Sequence, residues 1–138
     1  MAVRRKRSFS LRTETDIKRE TLEALELAYP KPNAWWSRNN SSGRVRRMSQ
    51  VGLGKGSADI VGCVSLRFPR YTIGVFVAVE LKTSTGKQSE EQVLWAAMHE
   101  HCGGIYVIAT SAQEAVNMVN LRLARLYQHI INSERLAA

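Results

Sequence analysis

One acidic residue, Asp59 in the run Gly56-Ser57-Ala58-Asp59-Ile60-Val61-Gly62, is followed by an apolar stretch that ends in Glu80-Leu81-Lys82. If that stretch is a strand, residues two apart share a face, so Glu80 and Lys82 point together while Leu81 points away. Val75, Val77, Val79 and Leu81 then form one apolar face; Phe76 and Ala78 begin the other, and Glu80 and Lys82 finish it. A strand buried on both sides that turns charged at its carboxyl end is where an α/β protein places a site. A third carboxylate comes from the first predicted helix, where 100° per residue puts Glu14 on the face of Ile17, Leu25 and Ala28, opposite Asp16, Glu23 and Glu26. Glu14, Asp59, Glu80 and Lys82 are therefore expected to converge at one edge of a sheet. Carboxylates this close repel unless a cation neutralises them, and hard oxygen ligands favour an ion such as Mg²⁺. Such an ion lowers the pKa of its water and polarises a phosphoryl oxygen, while a neighbouring lysine orients the nucleophile or offsets charge at phosphorus. That is equipment for phosphodiester hydrolysis. Spacing alone accommodates equally well a Glu80–Lys82 salt pair at a strand end with Asp59 in a turn.

The elements that must position these groups can be read from caps and periodicity. Thr13 and Asp16 have capping-box spacing, and Ile17, Thr21, Ala24, Leu25 and Ala28 recur helically until Tyr29-Pro30. Ala34 to Asn40 and Arg44 to Val51 predict two strands of a hairpin joined at Ser41-Ser42-Gly43, Ala58 to Leu66 a third strand and Thr72 to Lys82 a fourth. Ser89 and Gln92 have capping-box spacing before a helix from Glu90 to about His101, which Gly103-Gly104 terminates. Ile105 to Ala109 reads as a buried strand, and Ser111 and Glu114 open a last helix with Ala115, Val119, Leu123, Leu126 and Ile130 on its apolar face. Strand, helix, strand from Thr72 to Ala109 is a crossover that forces a parallel pair, and the earlier hairpin makes the sheet mixed. The expected fold class is α/β, an αβββαβ core with a mixed central sheet flanked by helices and a C-terminal helix.

At 138 residues the expectation is a flexible basic arm over residues 1–12 and a single domain over 13–138. The formal net charge is +8, and arginine supplies 14 of the 20 cations, in clusters at Arg4 to Arg7, at Arg44 to Arg47, and at Arg67 with Arg70. A polyanionic partner suits this balance, because the guanidinium fork binds two phosphate oxygens at once. No apolar stretch approaches the roughly 18 residues of a membrane span and no signal core follows the N-terminal charges, so a soluble, cytoplasmic protein is expected. Cys63 and Cys102 have neither disulfide nor metal-ligand spacing and read as reduced core residues.

Taken together, Gly56-Ser57-Ala58-Asp59-Ile60, Val79-Glu80-Leu81-Lys82 and Ser89-Glu90-Glu91-Gln92 resemble the three core motifs of the VRR-NUC nucleases, a branch of the PD-(D/E)XK superfamily with the restriction-endonuclease-like fold. Glu14 resembles that family's first-helix glutamate, and Arg38-Asn39-Asn40 followed by Gly43 resembles its Arg-Asn strand and glycine turn. The likeness runs from about Thr13 to Thr110, with Ala58 where a proline often precedes the aspartate. It implies a Mg²⁺- or Mn²⁺-dependent DNA endonuclease. The implied metal ligands are Asp59, Glu80 and the backbone carbonyl of Leu81, with Glu14 acting through a water; Lys82 is the implied catalytic lysine. Arg38, Asn40, Arg44, Arg46, Arg47, Lys55, Ser57 and Lys87 are the expected DNA contacts. A chain this short is similar to the minimal stand-alone members from phages and bacteria, which look like dimeric resolvases of four-way DNA junctions, so branched DNA and a homodimer are implied as well. A non-catalytic DNA-binding subunit and a sequence-specific restriction-type nuclease are the rival readings.

Weaker signals complete the expectation. Gln92 either orients the lysine or a phosphate or serves only its capping box. His99 and His101, two apart on a helix, do not face one site and read as surface or interface residues. Gly52-Leu53-Gly54-Lys55-Gly56-Ser57 is not a nucleotide-binding P-loop, because glycine follows the lysine where Ser or Thr is needed. Of Trp35 and Trp36, adjacent on a strand, at least one is expected in the core and the other is free to stack on exposed bases.

Overall fold

The computed structural model describes residues 12–39 and 53–138. Helix α1 (Glu14–Ala28) starts where the Thr13 hydroxyl accepts from Asp16 N at 3.1 Å and the Asp16 carboxylate accepts from Thr13 N at 3.1 Å, the reciprocal pair of a capping box. It ends at Tyr29, ahead of Pro30. Strands β1 (Ala34–Arg38), β2 (Ile60–Arg67) and β3 (Thr72–Leu81) follow, then helix α2 (Glu90–His101), strand β4 (Ile105–Ala109) and the long helix α3 (Ala112–Ala137). No described helix is long and apolar enough to cross a membrane.

The four strands form one sheet in the order β1-β2-β3-β4. β1 pairs with β2 and β2 with β3 antiparallel, while β3 and β4 run parallel with α2 as their crossover. The alternation along β3 sorts the core into two layers, as its pattern requires. Val75, Val77, Val79 and Leu81 pack with Leu25 of α1 and with Ala115, Val119 and Leu123 of α3. On the opposite face Ala78 joins Ala58, Val61 and Tyr106 beneath Trp95 of α2. Val77 and Val79 are fully buried, and each such side chain contributes about 1.5–3 kcal/mol relative to exposure. A sheet held this way from both sides keeps the end of β3 from fraying, which is what a site mounted there needs.

Several expectations change in the structure. The strand read as Ala58 to Leu66 is displaced to Ile60–Arg67, because Ala58 and Asp59 belong to the turn that enters it. β3 closes at Leu81 rather than Lys82, although Lys82 N still donates to Ala109 O at 2.9 Å and keeps its backbone fastened to β4. β1 pairs directly with β2; its expected hairpin partner, Arg44 to Val51, and nearly all of the basic arm lie outside the described residues. His99 is no surface residue: it is 5% exposed, stacks on Trp95, and places Nε2 3.1 Å from Phe76 O and 3.0 Å from Ile105 O. Periodicity hid this because α2 buries only a narrow i, i+4 stripe, Trp95 and His99, and leaves Val93, Leu94 and Met98 exposed. His101 is exposed, as expected. Cys102 is exposed at the helix cap rather than in the core, and Cys63 is half-buried. Trp36 is buried and Trp35 half-exposed, the division that adjacent strand positions impose.

Candidate active site

Asp59 is placed by a loop that the local sequence locks in several ways. Gly54 and Gly56 take φ of 92° and 83°, and a Cβ on Gly56 would stand 2.4 Å from the Glu91 carbonyl oxygen, so only glycine lets the loop lie against the start of α2. The Ser57 hydroxyl donates to Gly54 O at 2.6 Å and accepts from Asn39 Nδ2 at 2.8 Å; the same amide donates to Ala58 O at 2.9 Å. Asn39 N donates to Asp59 O at 2.8 Å, extending the β1–β2 pairing by one step. Asp59 then reaches across to β3, where its Oδ2 accepts from Leu81 N at 2.9 Å. Since Ile60 is paired with Val79, Asp59 and Glu80 stand opposite one another at the end of the β2–β3 ladder.

Glu80 is 3% exposed, and only one of its oxygens is partnered. Its Oε1 lies 2.9 Å from Lys82 Nζ and accepts from Gln92 Nε2 at 2.5 Å, whereas Oε2 is buried and has no hydrogen-bond partner among the described residues. Gln92 makes bonds both to the helix cap and to the lysine. Its Oε1 accepts from Ser89 N at 2.9 Å, completing the α2 capping box, and from Lys82 Nζ at 2.8 Å. The cap thus fixes the amide that holds both the lysine and the glutamate. Burial pushes the Glu80 carboxyl above its usual range; the Lys82 hydrogen bond opposes the shift and the Asp59 charge adds to it. Nearby, burial together with the charge of Glu80 raises the Tyr106 hydroxyl to about 12, although it accepts from Gln88 Nε2 at 3.2 Å.

Glu14 lines the same cleft as this pair, but from its rim. Its side chain is 69% exposed at the rim, and it meets Asp59 only through Lys18, whose Nζ lies 2.7 Å from Glu14 Oε1 and 2.9 Å from Asp59 Oδ1. The Lys18 hydrogen bond and charge hold the Glu14 carboxyl below its usual range. Burial pulls the Lys18 ammonium down, but its bonds to Glu14 and Asp59 outweigh that and leave its pKa raised. Lys18 was not anticipated, although Glu14 and Lys18 show the i, i+4 spacing of a helical ion pair. Asn39, the middle residue of Arg38-Asn39-Asn40, clamps the Asp59 loop.

Asp59, Glu80, Leu81, Lys82 and Gln92 line a cleft of about 390 Å³, with Glu14, Lys55 and Lys87 also on its walls. Lys55 is exposed and pairs with Glu91 at 2.6 Å, which lowers the Glu91 carboxyl to about 2. Ser57 lines the cleft too, but it is buried and its hydroxyl is committed to Gly54 and Asn39. Lys87 and Arg38 are exposed; Asn40, Arg44, Arg46 and Arg47 lie outside the described residues. No family model, curated protein or solved structure matches this chain. Its chemistry rests on its own geometry.

Among the described residues no group of three His, Cys, Asp or Glu side chains could hold a metal ion. Mg²⁺ does not require one, since it usually takes one or two carboxylates and completes its shell with waters and substrate phosphates. A buried carboxylate oxygen without a partner, beside a second carboxylate in the turn that enters the neighbouring strand, fits such an ion. Leaving that oxygen bare costs free energy that a cation offsets.

Proposed function

We propose that this chain is a metal-dependent DNA endonuclease that cuts branched DNA as a homodimer, with a restriction-endonuclease-like arrangement of α1, β1 to β3, α2 and β4. The observation that carries the reading is the bare, buried Glu80 Oε2 on a carboxylate whose other oxygen, with Gln92, holds the ammonium of Lys82 in place. Asp59, Glu80 and the Leu81 carbonyl are the groups that would hold Mg²⁺ or Mn²⁺. When bound, the ion supplies a water of lowered pKa and polarises the phosphoryl oxygen.

The protein's own residues do the rest. Lys82, bridged between Gln92 and Glu80, carries a positive charge at a fixed point on the cleft wall, suited to orient a water or to offset the charge that grows on a pentavalent phosphorus. The Asp59 loop stays rigid through Asn39, so the two carboxylates keep their spacing while substrate enters. Lys55 and Lys87 on the cleft walls, with a net charge of +8 behind them, attract the phosphate backbone without reading bases. One such site cuts one strand, so two symmetric cuts across a junction call for two copies.

A labelled four-way junction incubated with Mg²⁺, and in parallel with EDTA, tests the proposal. Cleavage with Mg²⁺ alone is the expected result. Binding that persists in Mg²⁺ without any cutting overturns it and leaves a DNA-binding subunit without catalysis.

A further inference from the structure

The ammonium of Lys18 stands where a cation between carboxylates is wanted. It is 2.9 Å from Asp59 Oδ1 and 2.7 Å from Glu14 Oε1, and its side chain is only 22% exposed. Lys82 in turn neutralises one oxygen of Glu80, while the other Glu80 oxygen has no partner among the described residues. Three carboxylates thus share two ammonium groups, and each lysine already holds two acceptors: Glu14 and Asp59 for Lys18, Glu80 Oε1 and Gln92 Oε1 for Lys82. We infer that Lys18 is a built-in counter-cation that occupies the Asp59 side of the metal site and competes with the divalent ion for it. This inference rests on the metal reading of the site proposed above.

The physical case follows from charge and reach. An ion shared by Asp59 and Glu80 needs Asp59 oxygen lone pairs; Oδ2 accepts from the backbone at Leu81 N, and Oδ1, which no backbone group holds, is the oxygen that Lys18 occupies. Binding a divalent ion at Oδ1 also brings two like charges together unless the ammonium withdraws. Lys18 has somewhere to go, because Glu14 lies at the rim, 69% exposed, and keeps the lysine as an i, i+4 partner after the Asp59 bond is broken. The exchange balances charge: without metal the lysine lessens repulsion among Glu14, Asp59 and Glu80, and with metal it retreats to Glu14. Weak metal binding in the absence of substrate is the consequence.

Mn²⁺ binding to the DNA-free protein, followed by calorimetry and by the loss of the free-ion electron paramagnetic resonance signal, tests this without any reading of activity. Lys18→Met and Lys18→Gln should each tighten Mn²⁺ binding by about 10- to 100-fold, the worth of one hydrogen bond to a charged group. Lys18→Arg, which keeps the charge, should retain the weaker affinity. Lys55→Met, which removes the same charge from the cleft wall away from Asp59, should alter affinity far less. Circular dichroism and thermal melts establish that each variant is folded, and two neutral replacements at position 18 guard against one that is not. If affinity is unchanged or weaker in both neutral variants while Glu80→Gln still abolishes binding, the counter-cation role is overturned and the metal site stands. If Lys55→Met tightens binding as much as Lys18→Met, the effect is one of general charge and the role is likewise overturned. No Mn²⁺ binding to any of the proteins overturns this inference together with the metal reading.

Discussion

Replacing Gln92 by alanine removes one side chain that carries three bonds: to Ser89 N at 2.9 Å, to Lys82 Nζ at 2.8 Å and to Glu80 Oε1 at 2.5 Å. Loss of the reciprocal half of a capping box costs about 1 kcal/mol. The bond to Glu80 is made to a buried charged group, and hydrogen bonds of that kind are worth about 1.5–3 kcal/mol. With Gln92 gone, Glu80 keeps Lys82 as its partner, and water entering from the cleft offsets part of the loss. The expected destabilisation is about 2–4 kcal/mol. Urea denaturation of wild type, Gln92→Ala and Ser89→Ala separates the contributions, because Ser89→Ala removes only the serine side of the cap and should cost about 1 kcal/mol. Junction cleavage should fall in Gln92→Ala by more than the loss of folded protein accounts for, since Lys82 is no longer held. If Gln92→Ala costs no more than Ser89→Ala, the amide is a cap residue alone and its assigned role in holding Glu80 and Lys82 is refuted.

Further expectations concern the cleft, its loop and the last helix. Lys82→Ala and Asp59→Asn should each lower the cleavage rate by about 100-fold or more while junction affinity, measured by gel shift in Ca²⁺, changes little; wild-type turnover in either variant would remove that residue from the site. Gly56→Ala forces a side chain into a φ of 83° and against the Glu91 carbonyl at 2.4 Å, so a loss of about 1–3 kcal/mol should appear in denaturation together with reduced cleavage, whereas Gly103→Ala meets no atom within 4 Å and should suffer only its backbone cost. Glu114 accepts from Thr110 N at 2.6 Å and from Thr110 Oγ1 at 2.7 Å, which holds its carboxyl below the usual 4.5. Its folded-state pKa is the lower one, so its stabilisation is present above pH 4.5 and is lost as pH falls through the depressed value. Glu114→Gln should accordingly be less stable than wild type at pH 7, and the gap in melting temperature should close toward pH 3; a gap independent of pH would show that the carboxylate charge contributes nothing.

The order of the elements was legible because it depends on signals a few residues long. Thr13 with Asp16 and Ser89 with Gln92 specify helix starts through bonds confined to one turn, and the structure contains both boxes. The two-residue period from Val75 to Leu81 set the sides of β3 in advance, and the core layers follow that division. Asp59, Glu80 and Lys82 could be named for the same reason, since chemistry-bearing residues at a strand end stand out against an apolar run. Bonds that cross between elements left no such trace. That Gln92 serves as cap and clamp at once depends on α2 crossing the end of β3, and that Lys18 lies between Glu14 and Asp59 depends on how α1 packs on the sheet. His99 carries a polar ring into the core because two strand carbonyls meet it there, a satisfaction that only three-dimensional packing supplies. Sequence by itself determined which residues are apolar, charged or capping within each segment, because those preferences act over one turn or one strand. Tertiary structure alone decided which charged atoms touch, leaving Glu80 with one bare oxygen and Asp59 with a lysine, because burial and pairing are set by the docking of elements far apart in the chain.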